Sequence, residues 1–190
     1  MRHFIYAFVM SCVSVSAWAE VRFSEVASAL GAAWLEGQFQ QQKTIVGLPL
    51  PLISSGRFYV QDNQLRWLTE KPMQSELQFS SQGISQWQKG EKVWQMTAQQ
   101  QPVIATISQL MLAMMAGQWS TLDQAFQVQA FEQGEGGCWS LVVVSKDPVL
   151  SHVVQQLDVA GCERVTDIAL HEVSGNVTAL NLSALAQGEQ

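Results

Sequence analysis

Charge is scarce in this chain. Only 14% of its 190 residues are Asp, Glu, Lys or Arg, and 16 acids against 10 bases leave a formal charge of −6. An acidic surface repels phosphate backbones, which argues against nucleic-acid binding. Histidine is scarcer still, and His3, one of the three, sits in the N-terminal leader. There is no H-E-x-x-H, no Gly-rich phosphate loop, no cysteine quartet and no G-x-S-x-G elbow, so the common marks of metal, nucleotide and acyl-enzyme chemistry are missing. His152, beside Ser151 in an expected loop or short helix, and His171, beside Glu172 in a strand-like run, are the bases an acyl-processing enzyme would have to use. The plainer reading of each is a surface or half-buried histidine. Glu132 and Glu135 flank glycines at a turn and read as a solvated loop. No metal and no cofactor are expected, and without internal repeats or low-complexity linkers one domain is the expectation.

Long apolar runs are confined to the N-terminus. In MRHFIYAFVMSCVSVSAWAE a basic start, Arg2 and His3, leads into an apolar run from Phe4 to Val15 and then Ala17-Trp18-Ala19. Small residues at the two ends of A-x-A make residues 1–19 read as a secretory signal peptide cut between Ala19 and Glu20. A membrane anchor is disfavoured because the run is too short to span a bilayer. Lipidation at Cys12 is the sharper alternative, although VMSC places the large Met10 where small residues are usual. Cleavage leaves 190 − 19 = 171 residues, a single domain over 20–190, with a charge of −7 once Arg2 is gone. A chain of that length buries about two-thirds of its unfolded surface, and with no later spanning run the mature protein is expected to be soluble.

Cysteine is rare as well. Cys138 and Cys162 remain after cleavage, and an even count in an oxidising compartment reads as a disulfide, with two unpaired buried thiols as the alternative. Closing a loop of about 25 residues stabilises by about 3 kcal/mol in the chain-entropy account. Two cysteines with no histidine nearby are too few for a structural zinc.

Large, soft apolar side chains are what the chain has in excess: seven tryptophans, eight phenylalanines and seven methionines. VRFSEVASALGAAWL places Phe23, Val26, Leu30 and Trp34 at helical spacing, with Ser24-Glu25 as a start. No long helix fits between Gly37 and Ala98. Short alternating runs fill that span. ISSGRFYVQ and QLRWLT flank an Asp62-Asn63 turn, QSELQFS sets Leu77 and Phe79 on one side, and KVWQMT sets Trp94 and Met96 on one face. In PVIATISQLMLAMMAGQW the period changes. Pro102 suits a first helical turn, Ile104, Ile107, Leu110, Met111, Met114 and Met115 recur three and four apart, and Gly117 is a stop. Strands resume at FQVQAFEQ and continue to NVTALNLS, followed by an AQGEQ tail expected to fray. The sum is about eleven short strands and two substantial helices, an α+β but mainly β antiparallel meander, sandwich or barrel. A run such as LMLAMM ordinarily means core. Laid over the concave face of an open barrel, it can instead roof a space suited to hydrocarbon, where each buried methylene contributes about 0.8 kcal/mol.

Three stretches taken together resemble the LolA family of periplasmic outer-membrane lipoprotein carriers: GQFQQQKTIVGLPLPLISSGRFYV, QLRWLTEKP and LQFSSQGISQWQKGEKVWQM. The pattern residues are Phe39, Gln41 and Lys43, then Ser54 or Ser55 with Gly56 and Phe58, then Trp67 and Pro72. The likeness covers residues 20 to about 125 and lies in their order and spacing. It implies an unclosed antiparallel barrel of eleven strands with a helical lid. It also implies a non-enzymatic, monomeric carrier that takes acyl chains of lipoproteins or lipids from an inner-membrane exporter to an outer-membrane acceptor. The implied acyl-chain cavity is lined by Phe58, Leu65, Trp67, Leu77, Phe79, Trp94 and Met96, with Ile107, Leu110, Met111 and Met114 covering it.

Two departures stand out. Gln61 occupies the place where typical carriers have a lid-latching arginine, and Arg66, one residue before Trp67, should point away from it. The C-terminal part is shorter, lacks the usual Pro-Pro-Gly ending and carries the cysteine pair. These features suggest a divergent branch whose cargo is a specialised acylated lipid precursor, or, with Cys12 lipidated, an anchored receptor of the same fold.

Overall fold

The computed structural model describes residues 21–185. The expected signal peptide over 1–19, Cys12, the expected cleavage site between Ala19 and Glu20 and the tail over 186–190 lie outside the described residues. The strands are β1 (Glu36–Thr44), β2 (Leu52–Gln61), β3 (Gln64–Lys71), β4 (Ser75–Ser80), β5 (Gly83–Gln88), β6 (Glu91–Thr97), β7 (Phe126–Gln133), β8 (Trp139–Ser145), β9 (Val154–Gly161), β10 (Val165–Glu172) and β11 (Val177–Ser183). Three helices accompany them: α1 (Phe23–Val26), α2 (Pro102–Ala116) and α3 (Pro148–Ser151).

All eleven strands form one sheet in the order β6-β5-β4-β3-β2-β1-β11-β10-β9-β8-β7. Neighbours pair antiparallel throughout, and β6 and β7 end the order, so the sheet is the unclosed, mainly β architecture that the alternation implied. Two meanders, β1–β6 and β7–β11, meet at a single seam where β1 pairs with β11 from Gln38↔Ser183 to Thr44↔Val177. The β2–β3 turn is Asp62-Asn63, both left-handed at φ 50° and 57°, which suits the strand twist of a two-residue hairpin.

Antiparallel topology gives the barrel two ends. Connections β2–β3, β4–β5, β7–β8 and β9–β10 leave from one, here the floor. Connections β1–β2, β3–β4, β5–β6, β8–β9 and β10–β11 leave from the other, here the rim. Alternate residues face inward, so each strand carries one inner row. Read from floor to rim, β1 carries Gly37, Phe39, Gln41 and Lys43, β2 carries Phe58, Gly56 and Ser54, and β3 carries Leu65, Trp67 and Thr69. The floor half is buried and apolar, whereas the rim half is half-exposed and mostly polar.

The helix α2 matches its expected bounds, with Pro102 at its first turn and Gly117, left-handed at φ 66°, closing it. Both its ends sit at the floor. The chain reaches α2 after Thr97, which pairs with Gly83, and leaves it where Trp34 N donates to Met115 O at 2.7 Å. In between it contacts β6, β5, β4, β3 and β2.

The first helix is a correction. Phe23, Val26, Leu30 and Trp34 are all buried, but only Phe23–Val26 is helical, so the described residues hold one substantial helix and not two. The helix begins one residue before the expected Ser24-Glu25 start, and the Asp123 carboxylate accepts from Phe23 N at 2.8 Å. Gly31 at φ 84° then turns the chain, and Ala32 N donates to Glu163 O at 2.6 Å in the β9–β10 turn. The apolar spacing reflects burial at separate places along an irregular segment, a pattern that periodicity cannot distinguish from one helical face.

Candidate functional site, the inner face beneath the long helix

Trp67 faces inward and is buried. Its indole stacks on Phe39 with ring centroids 4.0 Å apart, and on Phe58 at 5.7 Å. The Trp34 ring meets Phe58 edge-on at 5.6 Å. Such pairs contribute about 0.5–1.5 kcal/mol each beyond area burial, so this cluster is a firm part of the floor.

Ten of the eleven candidate residues belong to one packed apolar cluster, and Trp94 does not. Phe58, Leu65, Trp67, Phe79, Leu110 and Met114 are buried. Leu77, Met96, Ile107 and Met111 are half-buried and pack against that core. Trp94 is 40% exposed on the edge strand β6. Cross-strand pairing explains the assembly: Trp67 sits opposite both Phe58 and Leu77, Leu65 opposite Phe79, and Ile84 opposite both Phe79 and Met96.

The sequence reading missed Phe39 as a stacking partner and Leu112 and Ala113 on α2, and it left Ile104 and Met115 out of the cavity set, whereas α2 is buried on more than one face near its C-terminus. The three- and four-residue spacing already held Ile104 and Met115. It also missed the contribution of the second meander, where Leu170 and Leu180 are half-buried on the inner rows of β10 and β11. Alternation in DIALHE and VTALNLS carried that signal.

Polar ties to α2 are few. No residue from Pro102 to Ala116 is charged. Trp34 N–Met115 O holds its C-terminal end, and Gln109 Nε2 donates to Thr121 O of the following turn at 2.9 Å. Among the described residues its contacts with the sheet are otherwise apolar. Ser108 Oγ and Trp119 Nε1 are buried without a hydrogen-bond partner among the described residues. Unpaired buried donors of this kind cost about 1–3 kcal/mol, so they are polar points in an otherwise apolar interior.

The outer surface follows the opposite chemistry. Arg66 points away from Trp67, as alternation requires, and donates to Glu76 from Nε at 2.7 Å and from a second guanidinium nitrogen at 3.1 Å. That bond raises the Arg66 pKa and holds Glu76 below the ordinary carboxylate range. Gln61, in the place of the family's arginine, is exposed at the end of β2. At the rim, Glu172 accepts from Asn176 at 2.9 Å and pairs with Lys43 at 3.1 Å, and these partners, in that order, lower its pKa.

His152 is exposed beside α3, and His171 is half-buried with Nε2 2.8 Å from Asp158 Oδ2. They lie on separate elements and share no site. Among the described residues no group of three or more His, Cys, Asp or Glu could hold a metal ion. Cys138 and Cys162 form a disulfide at the floor of the second meander, where Trp139 Nε1 donates to Cys162 O at 3.1 Å. No helix among the described residues is long and apolar enough to cross a membrane.

Several solved structures match the chain at low identity. A LolA superfamily protein from Nitrosomonas europaea matches at 9% identity and TM-score 0.48, covering 86% of this chain and 92% of the other. A domain described as an outer membrane lipoprotein-sorting protein, from Vibrio parahaemolyticus, matches at 11% and 0.43, with coverages of 88% and 92%. LprF from Mycobacterium bovis matches at 12% and 0.35, with coverages of 85% and 89%. No curated protein matches the chain significantly. At such TM-scores the structural likenesses decide nothing by themselves, and the assignment rests on the sequence family described as outer membrane lipoprotein carrier protein LolA, which matches residues 31–190. The unclosed eleven-stranded sheet and the match over most of its length place this chain in the LolA family, whose members are periplasmic lipoprotein carriers.

Proposed function

We propose that the protein is a non-enzymatic periplasmic carrier that holds acyl chains of lipoproteins or related lipids between α2 and the inner face of β2–β6. It would take them from an inner-membrane exporter and deliver them to an outer-membrane acceptor, working as a monomer. The observation that carries this reading is the way α2 is attached: an uncharged helix, bonded to the barrel at its C-terminal end and otherwise packing its own Ile107, Leu110, Met111 and Met114 onto the apolar core that Leu77 and Met96 of the sheet adjoin. An apolar interface without directional bonds can part and re-form around a hydrocarbon chain, and unbranched methionine adapts to whatever shape fills the gap. The Phe39–Trp67–Phe58 stack occupies the floor, so cargo enters by displacing α2, with its Met111, from Leu77 and Met96 of the sheet and not by opening the floor.

Native mass spectrometry of protein purified without detergent tests this, together with uptake of a fluorescent fatty acid. Co-purified lipid, and uptake that is lost in Met111→Trp while the melting temperature stays within a few degrees, are the expected results. Protein that is always empty and takes up no fatty acid would refute the proposal. Maturation at Glu20 is part of the same reading. An intact mass matching residues 20–190 agrees with it, and a lipid-modified N-terminus at Cys12 would make the protein an anchored receptor instead.

A further inference from the structure

The rim has two features that the carrier reading leaves unused. One is the β1–β2 connection, IVGLPLP, with the first residues of β2 after it. Between Lys43 and Arg57 no residue is charged. Val46, Leu48, Leu50, Leu52 and Ile53 are all exposed, Leu50 to 75%. Met73, in the neighbouring β3–β4 turn, is equally exposed. The loop has a defined shape. Leu48 N donates to Ile45 O at 3.0 Å, and Val46 N donates to Asn176 Oδ1 at 3.0 Å across the β10–β11 turn. Pro49 and Pro51 restrict the backbone on either side of Leu50, so the leucines are held outward and not left to collapse onto the barrel.

The other feature is where the lysines are. The chain has five, Lys43, Lys71, Lys89, Lys92 and Lys146, and every one lies at or beside a rim connection. Of the five acids at the same end, three are paired, Glu70 with Arg57, Glu76 with Arg66 and Glu172 with Lys43, which leaves Glu91 and Asp147 against the other four lysines. The floor is net acidic, with Glu36, Asp62, Glu132, Glu135 and Glu163 at its strand ends and turns against Arg164 of the β9–β10 turn. A protein of net charge −6 is thus polarised along the strand direction, with its basic and apolar groups at the same end.

From this coincidence we propose that the rim is a membrane-contacting edge, on which Leu48 and Leu50 insert into the interfacial layer while the lysines meet anionic headgroups. The loop and the first residues of β2 carry five exposed apolar side chains on a proline-braced turn, with Lys43 and Lys71 at the adjoining strand ends. Projecting apolar groups backed by basic ones suit a fluid anionic lipid surface, which closes around each side chain. The acidic floor turns away from the same bilayer, so charge sets the orientation and the leucines supply the hold. This goes beyond the carrier reading and does not need it, since the rim can meet a bilayer with the barrel empty.

The test is flotation of the mature chain, free of cargo, with vesicles of phosphatidylethanolamine and phosphatidylglycerol and, separately, of phosphatidylcholine alone. Binding is expected to the anionic vesicles and to be weaker by about tenfold or more on the neutral ones. The double variant Leu48→Glu, Leu50→Glu should reduce binding by about tenfold or more, with the melting temperature unchanged because both side chains are exposed. Lys71→Gln with Lys89→Gln should shrink the preference for phosphatidylglycerol. Failure of the unaltered protein to float with either vesicle, as for a rim that docks on a protein, overturns the inference. So does wild-type binding by the leucine variant. Fatty-acid uptake measured without vesicles keeps this result separate from the carrier proposal.

Discussion

The two meanders on either side of the β1–β11 seam are packed by different means. Around β7–β11 the interior is built from rigid indoles, two of them with bonded N–H groups, Trp34 Nε1 to Val165 O at 2.8 Å and Trp139 Nε1 to Cys162 O at 3.1 Å, and a third, Trp119, packed edge-on against Trp139 at 5.8 Å. Arg164 lies over the Trp34 ring at 5.3 Å and donates to Ala33 O at 3.1 Å, and the Cys138–Cys162 bridge holds the adjoining turns. Around β2–β6 the cover is α2, whose grip on the sheet is methionine, isoleucine and leucine. Directional bonds and rigid rings admit few arrangements, whereas flexible apolar contacts admit many of similar energy. One half of the barrel is therefore a fixed frame, and the other has a cover suited to moving against it.

The largest effect that would test this contrast is loss of a framing indole. Trp139→Ala should cost about 3–5 kcal/mol in urea-induced unfolding, because it removes a buried ring and leaves Cys162 O without its donor. Loss of only about 1 kcal/mol would mean that the second meander is not the rigid half. Next comes the bridge. Replacing both Cys138 and Cys162 by Ser should cost about 3 kcal/mol while leaving fatty-acid uptake intact, since the bridge lies away from α2. Uptake lost together with the bridge would join the two halves into one unit. Met114→Leu, a volume-conserving change in the soft half, should cost less than about 1.5 kcal/mol. Hydrogen exchange sharpens the same point, with α2 amides expected to exchange well before those of β8 and β9.

The smallest expected effect concerns the rim. The Glu172 pKa is lowered in the folded state, first by Asn176 and then by Lys43. A depressed carboxylate contributes stability that is fully present above its unfolded pKa and is lost as pH falls through the folded value. Stability should therefore decline as pH drops below the ordinary glutamate range, and Glu172→Gln should flatten part of that decline, by at most about 1 kcal/mol for so exposed a pair. Equal acid sensitivity in the variant would assign the effect to other carboxylates, Glu76 first among them.

Trp67 shows how much of the site could be read in advance. Alternation through QLRWLT sets the indole on the face opposite Arg66, and the resemblance to the LolA family implied that this face is the inner one. What it stacks on depends on register. Phe39 is 28 residues away in the chain (67 − 39 = 28) and reaches Trp67 because β1 and β3 both flank β2. The first helix shows the opposite case, since its apolar spacing was real and its helical geometry was not.

The sequence alone determined the strands, the long helix and which residues of a strand share a face. These follow from period-two and period-3.6 patterning and from turn residues, which act over a few positions. Only the tertiary structure decided that every lysine gathers at one end, that Trp34 and Trp139 bond backbone carbonyls 131 and 23 residues away, and that one end of α2 is tied down. Those features depend on which strands become neighbours. That choice is made by long-range burial across the whole sheet, and no local window of sequence contains it.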